Sequence, residues 1–207
     1  MNKILLILCA ICLVVVSCQK ELSGDYGIPA PGGGNGGGGG GTTPAALIGT
    51  WKFLGMSSTG YTETVVSSFG IDMKVSSKYG FNTKDNTGTM QFESAKVITN
   101  NLGYSVDTTM WEVTYMDGVL FDSSEVPMYV PYFSSSATSD YTMKGTDSIS
   151  LTNGSAPGSQ NSVMGFKITG NQLKLSVRIL RDSVISSAGV TGRLHNDQMN
   201  YMNFVKQ

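Results

Sequence analysis

Gln172 to Ile179 reads QLKLSVRI, and its strict alternation decides the fold class. Leu173, Leu175, Val177 and Ile179 share one side of an extended chain, while Gln172, Lys174, Ser176 and Arg178 share the other. Period two is the signature of a strand, because successive side chains of an extended backbone point to opposite faces. Just upstream, Gly170-Asn171 separates this run from Val163 to Ile168, a two-residue connection of the kind that favours residues tolerant of positive φ.

Working outward, the same pattern recurs from Leu47 to the end of the chain. Asp117-Gly118 predicts a second hairpin, joining Met110 to Tyr115, where Trp111, Val113 and Tyr115 share a face, to Val119 to Val126. Tyr79 and Phe81, then Lys84 to Gly88, then Met90 and Phe92 suggest a third hairpin. Asn100 to Gly103 reads as a fourth turn, before Tyr104 and Val106. Pro127 and Pro131 interrupt an apolar stretch; proline cannot donate a ladder hydrogen bond, which predicts an edge or rim there, with Ser134 to Asp140 as a loop after it. The expectation is an all-β protein of about eight to ten antiparallel strands. Closure into an up-and-down barrel and folding into a β-sandwich both hide the edges of such a sheet.

Composition narrows the function classes. The formal charge of −1 and 14% charged residues offer no basic surface for nucleic acid. The cysteines are Cys9, Cys12 and Cys18, so a chain processed before Cys18 has no intramolecular disulfide. His195 is the single histidine, in a turn-like Arg193 to Asp197, and no zinc spacing or Gly-x-Ser-x-Gly elbow accompanies it. No metal site, no cofactor and no enzymatic activity are expected. Asp85-Asn86 reads as part of a turn rather than of a calcium loop.

The amino terminus carries the address. Asn2 and Lys3 precede a nearly unbroken apolar run, Ile4 to Val16, too short for the roughly 20 residues that span a bilayer and suited to a signal peptide. Leu13 to Cys18, LVVVSC, resembles a bacterial lipobox, which implies cleavage before Cys18 and acylation of its thiol and new amino group. Residues 1–17 are thus expected to be a lipoprotein signal peptide, and residues 18–43 a lipid-anchored start with a Gly-rich linker. Residues 44–207 are the expected globular domain. A Gly-rich coil of about 25 residues would hold that domain roughly 25 to 30 Å from the membrane. Gln19-Lys20-Glu21 resembles the short signals that send lipoproteins of Bacteroidetes to the cell surface. The implied location is the outer membrane, with the lipid as membrane partner.

Leu47 to Phe53, LIGTWKF, resembles the first strand of lipocalin-like proteins, including short Bacteroidetes lipoproteins. The resemblance implies a barrel whose closed end is crossed by Trp51 after Gly49, with a small apolar ligand at the open end. It also implies a late arginine packed on the tryptophan, for which Arg178, Arg181 and Arg193 are candidates, and Ser139-Asp140-Tyr141 partly matches a second lipocalin motif.

Two further features bear on binding. Methionines such as Met73, Met90, Met110 and Met128 suit either a core or an adaptable apolar pocket. Tyr129, Tyr132 and Phe133 could gate a barrel mouth or stack on a sugar. Ser148 and Ser183, in Asp147-Ser148-Ile149 and Asp182-Ser183-Val184, resemble O-glycan acceptors of exported Bacteroidetes proteins. The leading expectation is a lipid-anchored, non-catalytic barrel binding a small apolar or amphipathic molecule at the envelope. The alternative is a surface interaction or adhesion module with a packed core that binds glycan or protein through loops such as Pro127 to Asp140.

Overall fold

The computed structural model describes residues 42–152, 163–187 and 190–207. Cys18, the signal peptide and nearly all of the linker lie outside the described residues. Nine strands make one antiparallel sheet: β1 (Gly49–Ser68), β2 (Ile71–Asn82), β3 (Lys84–Phe92), β4 (Lys96–Met116), β5 (Val119–Met143), β6 (Ser148–Thr152), β7 (Val163–Thr169), β8 (Gln172–Ser187) and β9 (Val190–Lys206). Successive strands neighbour one another, and β9 pairs with β1 to close the ring. The expected all-β, up-and-down barrel is what the chain forms, and the sandwich is not.

β2 and β3 lie end to end between the same two neighbours. β1 pairs with β2 from Ser57 to Ser68 and with β3 from Gly49 to Lys52, and β4 runs alongside both. Nine strands therefore fill eight positions around the ring. Thr83 makes the joint: its N–H donates to the Met56 carbonyl at 2.9 Å, and its hydroxyl accepts from the Met56 N–H at 2.8 Å. The hairpin expected at Lys84 to Gly88 does not exist, because the chain kinks there with positive φ at Asp85 and Gly88 and runs on.

Two more expected interruptions lie inside strands. Asn100 to Gly103 is an irregularity in β4, where the register to β5 shifts between Thr99 and Leu102 and Asn101 takes φ 47°. Gly88 faces it, and a Cβ there would fall 2.3 Å from the Asn101 carbonyl oxygen. Ser134 to Asp140 is strand as well, laddered to β4, since Ser and Thr fit a pleated sheet once a partner backbone is alongside. Strands β1, β4 and β5 consequently reach 20, 21 and 25 residues, well beyond the usual length of 3–10. The Gly170-Asn171 and Asp117-Gly118 hairpins form as read. Between β1 and β2 the chain turns at Phe69-Gly70, with positive φ at both residues.

The ring closes at one end only. β6 meets β5 over Asp140 to Met143, and β7 meets β8 over Gly165 to Ser176. Beyond that level, the strands β5, β4, β2, β1, β9 and β8 continue as an open sheet. Among the described residues, β5 before Asp140 and β8 after Ser176 have no neighbour on their outer sides. Pro127 and Pro131 sit on this β5 edge, Pro131 within a register shift, which is where a residue lacking an N–H is tolerated.

The closed end is packed solid. Leu47, Trp51, Phe53, Phe92, Ile149, Leu173, Leu175 and Phe204 are buried inside it. Phe53 packs on Phe204 with ring centroids 5.3 Å apart, and Phe92 meets Tyr141 edge-on at 5.7 Å. Outside, Lys52, Lys167, Gln172 and Lys174 face water. An apolar interior and a polar exterior are the reverse of the pattern of a membrane-spanning barrel.

Candidate binding face

Gly49 and Trp51 stand where β1 enters the closed end. Gly49 takes φ 127°, a conformation that side chains other than hydrogen resist. Trp51 is fully buried and its indole N–H donates to the Leu47 carbonyl at 2.8 Å, so the turn at Pro44 to Leu47 is stitched over the barrel bottom. The cation on this ring is Lys206, 5.2 Å from the indole centroid, with its ammonium also on the Ala46 carbonyl. The late arginine expected there is absent from this place: Arg178 pairs with Asp197 at 2.7 Å on the outer surface, and Arg181 and Arg193 lie beyond the closed end, opposite Asn196 and Val184.

The remaining sequence candidates do not converge. Tyr129 is 70% exposed on the outer face of the β5 edge. Tyr132 hydrogen-bonds Thr87 at 2.9 Å, and Phe133 packs edge-on against Tyr104 at 4.7 Å. Ser148 starts β6 and donates to the Lys144 carbonyl at 2.7 Å, whereas Ser183 lies in the open part of β8 opposite Leu194. Met90, Met143 and Met164 belong to the packed core. Met73, Met110, Met116 and Met128 are half-buried on the sheet beyond it. His195 is in the middle of β9 rather than in a turn, with Nδ1 2.8 Å from Asp182. Among the described residues no group of three His, Cys, Asp or Glu side chains converges.

What the fold does assemble is the outer face of the open sheet. Cross-strand pairing places Tyr61, Lys78 and Trp111 directly side by side on β1, β2 and β4. Toward the tip, the next rows read Glu63, Ser76, Val113 and then Val65, Lys74, Tyr115. Tyr61, Lys78, Ser76, Val113, Val65, Lys74 and Tyr115 of these rows, with Asp72 at the tip, line an open depression of about 780 Å3. Trp111 stays 47% exposed beside it. A smaller hollow of about 400 Å3, near Leu54, Lys167 and Lys174, lies outside the closed end.

Charge in the depression is partly spoken for. Lys74 reaches Glu63 at 2.7 Å, and the Tyr61 hydroxyl donates to the same carboxylate at 2.5 Å. These contacts, Lys74 first, hold the Glu63 carboxyl below its ordinary range. Asp197 is likewise held low by Arg178. Lys78 makes no ion pair among the described residues. On the inner face of the same sheet, Tyr79 lies over Gly60 and burial raises its phenol. A polar row follows there, with Arg181, Asn196, Thr62, Ser77, Glu112 and Ser124 in register. The Asn196 Oδ1 is buried in this row without a partner.

The sharing of one face by Trp111, Val113 and Tyr115 is legible in the alternation; that this face turns to solvent is not. Tyr61 and Lys78 carry no local signal, since each is an ordinary outward residue until β1 and β2 bring it beside Trp111.

No family model and no curated protein matches this chain. Among solved structures, Ail, the attachment invasion locus protein of Yersinia pestis, aligns over 75% of this chain and 99% of its own at 9% identity, with a TM-score of 0.19, too low for a shared fold.

Proposed function

We propose that this protein is a lipid-anchored, non-catalytic recognition module of the outer membrane, which engages an envelope or external partner through the outer face of its open sheet. One observation carries the reading: the lower barrel is filled by its own aromatic side chains, while a depression of about 780 Å3 with Tyr61 and Tyr115 in its lining opens on the outer face. A carrier needs an interior vacancy. A recognition module needs an exposed, rigid platform, and sheet-borne aromatics supply contact area at little entropic cost. Phe69, Val119, Leu120 and Phe121 are strongly exposed at the hairpin tips of the same sheet, which fits a surface that meets partners. Cys18 is the proposed anchor. The glycines after it give the domain reach, and more than one acyl chain makes such anchoring stable.

The test uses cells carrying the full chain. Protease added to intact cells should remove the domain, and Cys18→Ser should abolish palmitate incorporation and release the protein from the membrane fraction. Attachment of these cells to a panel of immobilised glycans should fall with Trp111→Ala. Stoichiometric uptake of a fluorescent fatty acid by the purified full chain, unaffected by Trp111→Ala, would overturn the reading in favour of an interior carrier.

A further inference from the structure

We propose, resting on that recognition reading, that the outer depression takes an acidic glycan, with sugar rings against Trp111 and Tyr61 and a carboxylate at Lys78. Three observations converge. The first is the row itself: Tyr61 and Lys78 are direct cross-strand partners, as are Lys78 and Trp111. Adjacent strands are about 4.8 Å apart, so Lys78 stands one strand away from an aromatic residue on each side. Aromatic faces receive the C–H faces of pyranose rings. A cation between two such faces adds a point of selection that neutral sugars do not use.

The second observation is the state of the neighbouring charges. Lys74 is held by Glu63, Lys84 by Asp107 and Arg178 by Asp197. Lys78, exposed and facing the depression, has no carboxylate within ion-pair distance among the described residues. Glu125 is the cross-strand partner of Trp111 on its other side and Asp72 lies in the lining toward the tip, so Lys78 is the positive point between two carboxylates. A ligand carboxylate is thereby steered toward β2.

The third is pre-organisation. The Tyr61 hydroxyl is tied to Glu63, which is itself tied to Lys74, so the ring is fixed before a ligand arrives, and the Ser76 hydroxyl lies alongside within the same lining. Fixed aromatic and polar groups reduce the ordering cost of binding. Nucleic acid would need a field of cations, and one unpaired lysine does not make one.

Calorimetry with the full chain in detergent, using trigalacturonic acid, its methyl ester and sialyllactose against neutral galactotriose, tests this. At least one acidic probe should bind. Removing its charge, by esterification or with Lys78→Gln, should weaken binding about tenfold, Lys78→Arg should retain it, and Trp111→Ala should bring it below detection. Each variant changes an exposed residue, and an unchanged thermal transition confirms that it is folded. The proposal is overturned if no acidic probe binds, or if binding ignores esterification and Lys78→Gln. Neutral oligosaccharides that bind as tightly as acidic ones, and depend on Trp111, would sink the acidic assignment and leave the recognition reading standing. If Trp111→Ala and Lys78→Gln also leave cell attachment unchanged, that reading falls too.

Discussion

The two ends of this molecule share strands and alternation yet solve different problems. At the closed end the inward positions are Trp51, Phe53, Phe92, Leu175 and Phe204, walled in on all sides. In the open sheet the same inward register carries Thr62, Ser77, Glu112 and Asn196. Closure by the short β6 and β7 makes the first set an apolar core; beyond them the second set is a polar, mostly half-buried row, with Ser77 buried. Stability should therefore reside in the closed end, while the open sheet, with fewer buried contacts, is free to carry exposed aromatics.

The largest expected effect tests that division directly. Trp51→Ala should cost about 3–5 kcal/mol, through the lost aromatic burial and the cavity left behind, read as a shift in the urea midpoint. Trp111→Ala, by contrast, should stay within about 0.5 kcal/mol of the parent. Equal losses at the two tryptophans would erase the distinction. The joint between the two ends comes next. Thr83→Val keeps the shape but strips the hydroxyl that accepts from the Met56 N–H, leaving a part-buried donor unsatisfied. It should cost about 1–3 kcal/mol, and amide exchange should quicken first around Met56 and Asn86.

Two smaller effects sharpen the picture of the open sheet. Replacing Pro127 and Pro131 together by Val and Thr restores donors on the free β5 edge, and such edges template pairing with other chains. Thermal stability should hardly change, but concentration-dependent association should appear in sedimentation. An unaltered monomer would mean that the prolines do not guard that edge. The smallest effect is on pH. Glu63 and Asp197 are held below their ordinary values of 4.5 and 3.8 by Lys74 and Arg178. The stability they contribute is present above those values and fades as pH falls through the lowered ones. Both pairs are largely solvated, so the loss should be slight, and Glu63→Gln with Asp197→Asn should flatten it.

The closed end was the more legible half. Gly49 and Trp51 mark its entry strand, and QLKLSVRI marks its clearest wall. What misled was turn chemistry inside long strands. Lys84 to Gly88 and Asn100 to Gly103 hold turn-forming residues, yet they are kinks and register shifts whose neighbours carry the ladder past them. Positive φ at Asp85, Gly88 and Asn101 satisfies the same local preferences without reversing the chain. Lys206, not an arginine, covers Trp51 because the end of β9 passes that ring; either residue satisfies the chemistry.

By itself the sequence determined the β class, the two-residue hairpins and the existence of two unlike faces on each strand, because period two and positive-φ turns are local properties. Only the tertiary structure decided how far the ring closes, which face of β4 meets water and that Tyr61, Lys78 and Trp111 stand in one row. Those outcomes depend on which backbones lie side by side across a sheet, and alternation along a single strand does not record its neighbours.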